Sequence, residues 1–178
     1  YEDSELSPLG LEQCEEAASL YESVMANVSL IVVSMMRRCM QTATNCFPSL
    51  IHKKESVLWL ANEDCREQTG SHPCDRRHSL SAYKISYPHI DFCDIIHEND
   101  PLYWKYGNDT REPVDDVLNR CEIFLKWLIK RPEKEIVICT HSAILGILIP
   151  YLIPNKESRK YNNAELRSYI FKERIINE

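Results

Sequence analysis

The stretch that decides the fold is EIVICTHSAILGILIPYL, from Glu135 to Leu152. It opens with apolar, β-branched residues, which predict a buried strand over Lys134 to Thr140. The apolar residues after Ser142 predict a helix that begins there. His141 therefore lies at the junction of a core strand and a core helix. For this stretch alone, a hydrogen-bonded core histidine is the simpler interpretation. Whether His141 instead has a functional role depends on the rest of the chain.

Strands and helices alternate over most of the remaining sequence. The pattern predicts a helix from Pro8 to about Met25 with Ser7 as its N-cap. It then predicts a strand over Ser29 to Ser34, a helix over Arg37 to Ile51 broken near Pro48, a strand over Ser56 to Leu60, a helix from Pro113 to Leu128 and a last strand over Leu166 to Lys172. This alternation is typical of one α/β domain, here residues 1–178, with a mostly parallel sheet.

Residues 61 to about 112 interrupt the alternation. This insertion is polar, carries several prolines, histidines and arginines, and shows helical spacing only over Leu80 to Tyr87. Long irregular insertions in compact domains are uncommon and often functional. We expect this one to set specificity.

Composition narrows the class of protein. The net charge of −6 argues against a general nucleic-acid binder, and the longest apolar run, Ala143 to Ile153, is too short to cross a bilayer, so no membrane contact is expected. Eight cysteines without a Cys-x-x-Cys pair favour a reduced, cytoplasmic protein. Four candidate zinc ligands cluster in the insertion: Cys65, His72, Cys74 and His78. Their spacing matches none of the standard patterns of zinc ligands, so we predict no metal and no cofactor.

Two predicted strands end in residues suited to an anion. One is followed by Ser34-Met35-Met36-Arg37-Arg38, and the other by Thr140-His141-Ser142. Each precedes a predicted helix N-terminus, where free N–H groups and the helix dipole favour negative charge. Ligands of parallel sheets bind at the carboxyl ends of the strands, and arginine matches phosphate oxygens. The residues alone therefore predict a phosphate or carboxylate pocket.

Five stretches resemble one known family, in the family's order. They are LSPLGLEQ (Leu6 to Gln13), SMMRRCMQTA (Ser34 to Ala43), CREQTGSHPCDRRHS (Cys65 to Ser79), ICTHS (Ile138 to Ser142) and NNAELRSY (Asn162 to Tyr169). Together they resemble the histidine phosphatase superfamily, and in particular the phosphoglycerate-mutase-like proteins of plants and fungi. The resemblance implies a three-layer α/β sandwich with helices on both faces of a mostly parallel sheet.

The resemblance also implies a reaction and roles for residues. The family's histidine attacks phosphorus and forms a phosphohistidine, without a metal, so the expected activity is hydrolysis of a small phosphorylated metabolite. Arg38 and His141 match phosphate-binding positions, whereas Arg37 is expected on the outer face. Glu67 matches the catalytic acid, with Glu63 as the alternative. Substrate contacts are expected from three further residues: Arg76, Arg77 and Ser142. For the two arginines, a solvated surface pair is the alternative. Phosphate or sulfate is the expected ligand.

The family's Arg-His-Gly motif, which carries the nucleophile before the first helix, does not occur in the 178 residues. We expect that the chain is truncated at its N-terminus and that the strand ending in this motif is therefore missing from it. The alternative is a pseudophosphatase that lost the motif and acts as a binding or scaffold protein. A phosphoglycerate mutase is a further alternative. The sequence fixes neither the substrate nor the oligomeric state.

Overall fold

Three parallel strands form the sheet of the part of the chain that the computed structural model describes, residues 1–70, 72–106, 110–153 and 160–171. They are β1 (Leu30–Ser34), β2 (Leu58–Asn62) and β3 (Ile136–Cys139), in the order β2-β1-β3. β1 pairs with both neighbours, and every one of its residues is buried. The predicted parallel α/β arrangement is confirmed, although β2 begins two residues later than predicted.

Seven α-helices accompany the sheet in the same ranges. They are α1 (Pro8–Tyr21), α2 (Arg37–Cys46), α3 (Pro48–Ile51), α4 (Leu80–Ser86), α5 (Pro101–Tyr106), α6 (Val114–Ile129) and α7 (Ser142–Leu152). A 3₁₀ turn over Glu22–Met25 continues α1 to the predicted end. The predicted cap is confirmed, since Ser7 Oγ accepts a hydrogen bond from the Gly10 N–H at 3.1 Å and Pro8 occupies the first turn.

The two faces of the sheet are covered by different helices. Ile31 and Val33 point to a core shared with Cys14 of α1 and Met40 of α2. Successive side chains of a strand alternate between faces, so Leu30 and Val32 point the other way. There they pack with Phe124 of α6. The result is the three-layer sandwich that the resemblance implies, with α7 packed beside α6 through Ile144 and Leu148.

Two secondary-structure predictions are corrected by the structure. The predicted strand over Leu166 to Lys172 is wrong, because Leu166 to Phe171 form neither strand nor helix, while Lys172 lies outside the described residues. The Leu166 N–H instead donates to Tyr21 Oη at 3.0 Å, so the segment lies against α1 rather than in the sheet. The helix α5 was not predicted. Asp100 caps it by accepting from the N–H groups of Leu102 and Tyr103 at 3.0 and 2.9 Å.

Buried ion pairs, more than regular structure, organise the insertion. The Arg66 side chain is fully buried and donates two hydrogen bonds, of 2.8 and 2.7 Å, to the Asp100 carboxylate. Burial alone would raise the pKa of Asp100, but the hydrogen bonds and positive charge of Arg66 outweigh it and lower that pKa. Glu63 bridges the same arginine, at 3.1 Å, and Arg77, at 2.7 Å. These pairs compensate the buried charges and tie the start of the insertion to its middle.

A third buried arginine ties the insertion to α6. Arg120 pairs with both carboxylate oxygens of Glu112, at 2.8 and 2.9 Å. It also donates to three main-chain carbonyls at 2.8, 2.7 and 3.1 Å, those of Asp64, Arg66 and Glu67. The backbone that carries Glu67 is therefore fixed by a side chain from another layer of the fold.

Candidate functional site

Ser34 and His141 meet where β1 and β3 end side by side. Ser34 Oγ lies 2.8 Å from His141 Nε2, and both residues are buried. His141 has extended backbone angles and is the N-cap residue of α7, which turns its side chain toward the end of the neighbouring strand. The two strand ends that the sequence analysis singled out are therefore adjacent.

Glu67 faces the other nitrogen of the same imidazole. Glu67 Oε2 lies 3.8 Å from His141 Nδ1, and Glu67 Oε1 accepts from the Gln68 N–H at 3.0 Å. Thr140 Oγ1 donates to the Cys65 carbonyl at 2.6 Å, which joins the insertion to the strand end beside the histidine. The distance of 3.8 Å is longer than a direct hydrogen bond, but it keeps the carboxylate next to the imidazole.

Arg38 contacts the insertion through its guanidinium. Its Nη1 donates to the Cys74 carbonyl at 3.0 Å, and its Nη2 lies 3.6 Å from Asp75 Oδ1. Both side chains of this ion pair are largely buried, with 26% and 13% exposure. The protein's own carboxylate therefore stands beside the arginine predicted to bind phosphate.

A second internal carboxylate stands at the N-terminus of α2. Asp3 is completely buried, and its Oδ1 accepts from the Arg37 N–H at 2.8 Å. The Arg37 side chain is half-buried, like that of Arg38, but it pairs at 2.9 Å with the exposed Glu5 rather than with the insertion. Asp3 thus supplies the negative charge favoured at this helix end.

The structure does not gather the three predicted substrate-contact residues at one point. Arg76 pairs with Glu2 at 2.8 Å and lies over the rings of Tyr103 and Trp104. Ser142 is exposed at the first position of α7. The Arg77 side chain is fully buried and donates to Glu63 and to four carbonyl groups, those of His78, His97, Glu98 and Asn99. Its environment is that of a core arginine, which the sequence interpretation did not consider.

The two candidate acids have different surroundings. The carboxylate of Glu63 is held between Arg66 and Arg77, whereas that of Glu67 is directed at His141. Geometry therefore favours Glu67 as the carboxylic acid of this pocket.

Cys39 also belongs to the pocket, although the sequence analysis gave it no role. Its Sγ lies 3.4 Å from His141 Nε2 and 3.4 Å from the Thr140 carbonyl oxygen. The neighbouring Cys139 side chain, together with His141 and the charge of Arg38, holds the pKa of Cys39 well below its usual range despite burial. Its place directly after Arg38 in the motif was the available signal.

Three further findings concern the described ranges only. No group of three or more His, Cys, Asp or Glu side chains there is placed to hold a metal ion. Each helix there is too short or too polar to span a membrane. All eight cysteines are free thiols.

Comparison with known proteins identifies the family. The sequence profile of the Histidine phosphatase superfamily (branch 1) matches residues 1–67. A phosphoglycerate mutase-like protein of Arabidopsis thaliana is 34% identical to this chain, over 98% of the chain and 75% of its own length. The chain belongs to the histidine phosphatase superfamily. Phosphoglycerate mutase-like protein 1 of the same plant is 32% identical, over 99% of this chain and 73% of its own length. The resemblance to phosphoglycerate-mutase-like proteins is therefore confirmed.

Solved structures share the fold of this superfamily member at lower identity. The ecdysone phosphate phosphatase of Bombix mori, in complex with tungstate, has a TM-score of 0.59 and 15% identity, over 94% of this chain and 64% of its own. A mycobacterial glucosyl-3-phosphoglycerate phosphatase has a TM-score of 0.51 and 19% identity, over 88% of this chain and 72% of its own. At these identities the similarity establishes the histidine phosphatase fold.

Proposed function

We propose that this histidine phosphatase superfamily member acts as a phosphoric monoester hydrolase on a small phosphorylated metabolite. The observation that carries the proposal is the convergence of His141 and Glu67 at the carboxyl end of the sheet, with Arg38 in the first turn of the adjoining helix. This is the edge of a parallel sheet at which ligands bind. An imidazole, a guanidinium and a carboxyl group there suit a phosphoryl group that is held while its ester bond breaks.

Each residue has a distinct role in the proposal. Arg38 and His141 bind the phosphoryl oxygens and stabilise the charge that develops on them. Glu67 protonates the leaving oxygen, so its carboxyl group has to be protonated when the substrate is bound. The nucleophile is the histidine of an Arg-His-Gly segment, which the 178 residues do not include. It forms a phosphohistidine that water then hydrolyses.

The carboxylate of Asp75 and a bound phosphate ester would compete for the same guanidinium, that of Arg38. Without ligand, Asp75 partly neutralises Arg38 across 3.6 Å. A bound phosphate ester brings its own negative charge to the same guanidinium and competes with Asp75. We therefore expect the part of the insertion around Cys74 and Asp75 to shift when an oxyanion binds.

The names of similar proteins favour hydrolysis over a mutase reaction, in which the phosphoryl group is returned to the substrate. The two solved neighbours described above are named as phosphatases, one of them holding tungstate, and the same mycobacterial phosphatase was solved with inorganic phosphate. The curated relatives are named only as phosphoglycerate mutase-like. A mutase would depend on a bisphosphorylated primer, whereas the proposed hydrolase does not. Assays with and without such a primer separate these two activities.

The first test is calorimetric titration of the 178-residue chain with tungstate and with inorganic phosphate. We expect binding in the wild type and at least a tenfold weaker affinity in Arg38→Ala and His141→Ala. Arg37→Ala is the matched control, because it removes the neighbouring arginine, which pairs with Glu5 rather than with the insertion. Equal affinity in wild type, Arg38→Ala and His141→Ala contradicts the proposed pocket.

The second test adds the nucleophile. A chain extended at its N-terminus by a strand ending in Arg-His-Gly is expected to hydrolyse p-nitrophenyl phosphate and to be inhibited by vanadate. Glu67→Gln in this extended chain should slow turnover by about 10² to 10⁴, the usual contribution of a general acid, while oxyanion affinity changes little. Oxyanion binding without any turnover in the extended chain supports the binding or scaffold protein instead.

A further inference from the structure

Two cysteines are in contact at the base of the candidate pocket. Cys39 is in the first turn of α2, and Cys139 is the last residue of β3. The Cys139 thiol donates to the Cys39 carbonyl oxygen at 3.3 Å, and the Cys39 thiol donates to the carbonyl oxygen of Thr140, the residue after Cys139, at 3.4 Å. Cys39 is buried, whereas Cys139 is only partly buried. This contact joins the two strand ends that carry Arg38 and His141.

The surroundings of the two sulfurs differ in a way that suits thiol oxidation. His141 Nε2, at 3.4 Å from Cys39 Sγ, is placed to take the thiol proton. The neighbouring Cys139 side chain contributes most to a strongly lowered pKa of Cys39, and the same neighbourhood, together with burial, raises the pKa of Cys139 well above its usual range. A thiolate is the reactive form of cysteine, so Cys39 is the nucleophile of the pair and Cys139 is the thiol positioned to resolve it.

We propose that Cys39 and Cys139 form a hydroperoxide-sensitive pair, and that its oxidation to a disulfide inactivates the pocket between them. The Cys39 thiolate attacks the hydroperoxide and breaks its O–O bond, which gives a sulfenic acid and an alcohol or water. The Cys139 sulfur then attacks the sulfenic sulfur, and water leaves. Two thiols and one hydroperoxide give one disulfide, one alcohol and one water, so the hydroperoxide is the oxidant.

The consequence for ligand binding rests on the proposed function. A disulfide removes the Cys39 sulfur from His141 and draws the end of β3 toward α2. Arg38 precedes Cys39 directly, and His141 follows Cys139 by two residues, so both move with the bridge. The expected result is a loss of oxyanion affinity that a thiol reductant reverses.

The experiment treats the reduced 178-residue chain with a small excess of hydrogen peroxide and maps the products by mass spectrometry. The expected product is a bridge between Cys39 and Cys139. Trypsin leaves Cys39 and Cys46 in one peptide, residues 39–53, so the mapping uses tandem fragmentation and a Cys46→Ala variant. In Cys139→Ala the sulfenic acid of Cys39 should persist and react with dimedone. In His141→Asn oxidation of Cys39 should slow by about tenfold, as expected for a smaller thiolate fraction.

Two other sites in the chain provide matched controls. Cys14 and Cys46 are also two buried cysteines of one core cluster, but burial raises the pKa of Cys46 to about 12. Cys93 is exposed, and desolvation together with its acidic neighbours raises its pKa. Cys39 should react before both. Faster oxidation of Cys93 or of the Cys14 pair, or a bridge that uses Cys65, overturns the proposal.

Oxyanion titration before and after oxidation separates the two proposals. Loss of tungstate affinity on formation of the bridge, with recovery in dithiothreitol, supports both. A bridge in a chain that binds no oxyanion even when reduced supports the thiol pair and contradicts the proposed function. Oxyanion binding that persists in the fully bridged protein contradicts inactivation of the pocket.

Discussion

Replacement of Asp100 by alanine should destabilise the fold more than any exposed charge substitution. The Asp100 carboxylate accepts five hydrogen bonds, two from the Arg66 guanidinium and three from the main-chain N–H groups of Arg77, Leu102 and Tyr103. Arg66 is fully buried, and its Nε has no hydrogen-bond partner within the described residues. Without Asp100, the buried guanidinium keeps only Glu63 as a paired carboxylate.

The magnitude follows from the two interactions that are lost. Breaking a buried ion pair from one side costs about 3 to 5 kcal/mol, since the remaining charge stays buried. Loss of the cap on α5 adds about 1 kcal/mol. The expected loss of about 4 to 6 kcal/mol is a large part of the roughly 5 to 15 kcal/mol that stabilises an ordinary domain. Asp100→Asn should lose about 1 kcal/mol less, because its side-chain oxygen can still cap the helix.

Urea unfolding measures this loss through the fluorescence of the three tryptophans and through far-ultraviolet circular dichroism. Glu5→Ala is the control, because it removes an exposed ion pair with Arg37 and should cost at most about 1 kcal/mol. If Asp100→Ala unfolds at the same urea concentration as Glu5→Ala, the buried pairs do not hold the insertion and the reasoning is wrong. A change in the slope against urea would instead indicate that the insertion unfolds separately.

Three further predictions concern the same network and the pocket. The folded-state pKa of Asp100 lies below its unfolded value of about 3.9, so its stabilisation is present above that pH and is lost as the pH falls through the folded-state pKa. Urea unfolding from pH 6 to pH 3 should therefore show a smaller acid loss in Asp100→Asn than in the wild type, and an equal loss argues against this carboxylate. Asp75→Asn should strengthen tungstate binding by about fivefold, or about 1 kcal/mol, because it frees Arg38 from a partly buried ion pair; calorimetry showing unchanged or weaker binding contradicts the competition. Arg120→Lys should lower the free energy of unfolding in urea by about 2 to 4 kcal/mol, because an ammonium group cannot replace both the two-pronged pair with Glu112 and the bonds to three carbonyl groups. A loss below about 1 kcal/mol contradicts the role of Arg120 in holding the insertion.

Periodicity predicted the elements whose packing depends on a repeating apolar face. The strand over Ser29 to Ser34 was predicted because β1 is buried on both faces, and the helix from Pro113 because α6 presents one long apolar face. The helix α5, only six residues long, offers too few turns for such a pattern. Its start nevertheless carries a polar cap before a proline, Asp100-Pro101, as at Ser7-Pro8. Capping chemistry, applied throughout the insertion, would have found it.

The site was predictable only where backbone position determines side-chain position. Ser34 and His141 could be expected to meet, because the carboxyl ends of adjacent parallel strands share one edge. The burial of Arg77 could not be predicted in this way, because its five acceptors are brought together by loop backbone with no sequence period. The paired thiols were missed for a related reason. Cys39 and Cys139 are 100 residues apart, and only the strand order brings them into contact.

The proposed chemistry depends on how firmly the surrounding layers hold the backbone of the insertion around Glu67. Glu67 lies in a segment without helix or strand, yet an acid that serves one imidazole has to be held at a fixed distance from it. Arg120 holds the carbonyl groups around Glu67 from one side, and Thr140 holds the Cys65 carbonyl from the other. Both anchors come from the regular layers of the fold. Irregular backbone can therefore position a reactive side chain as firmly as a helix, provided that its polar groups are satisfied by buried side chains of the surrounding layers.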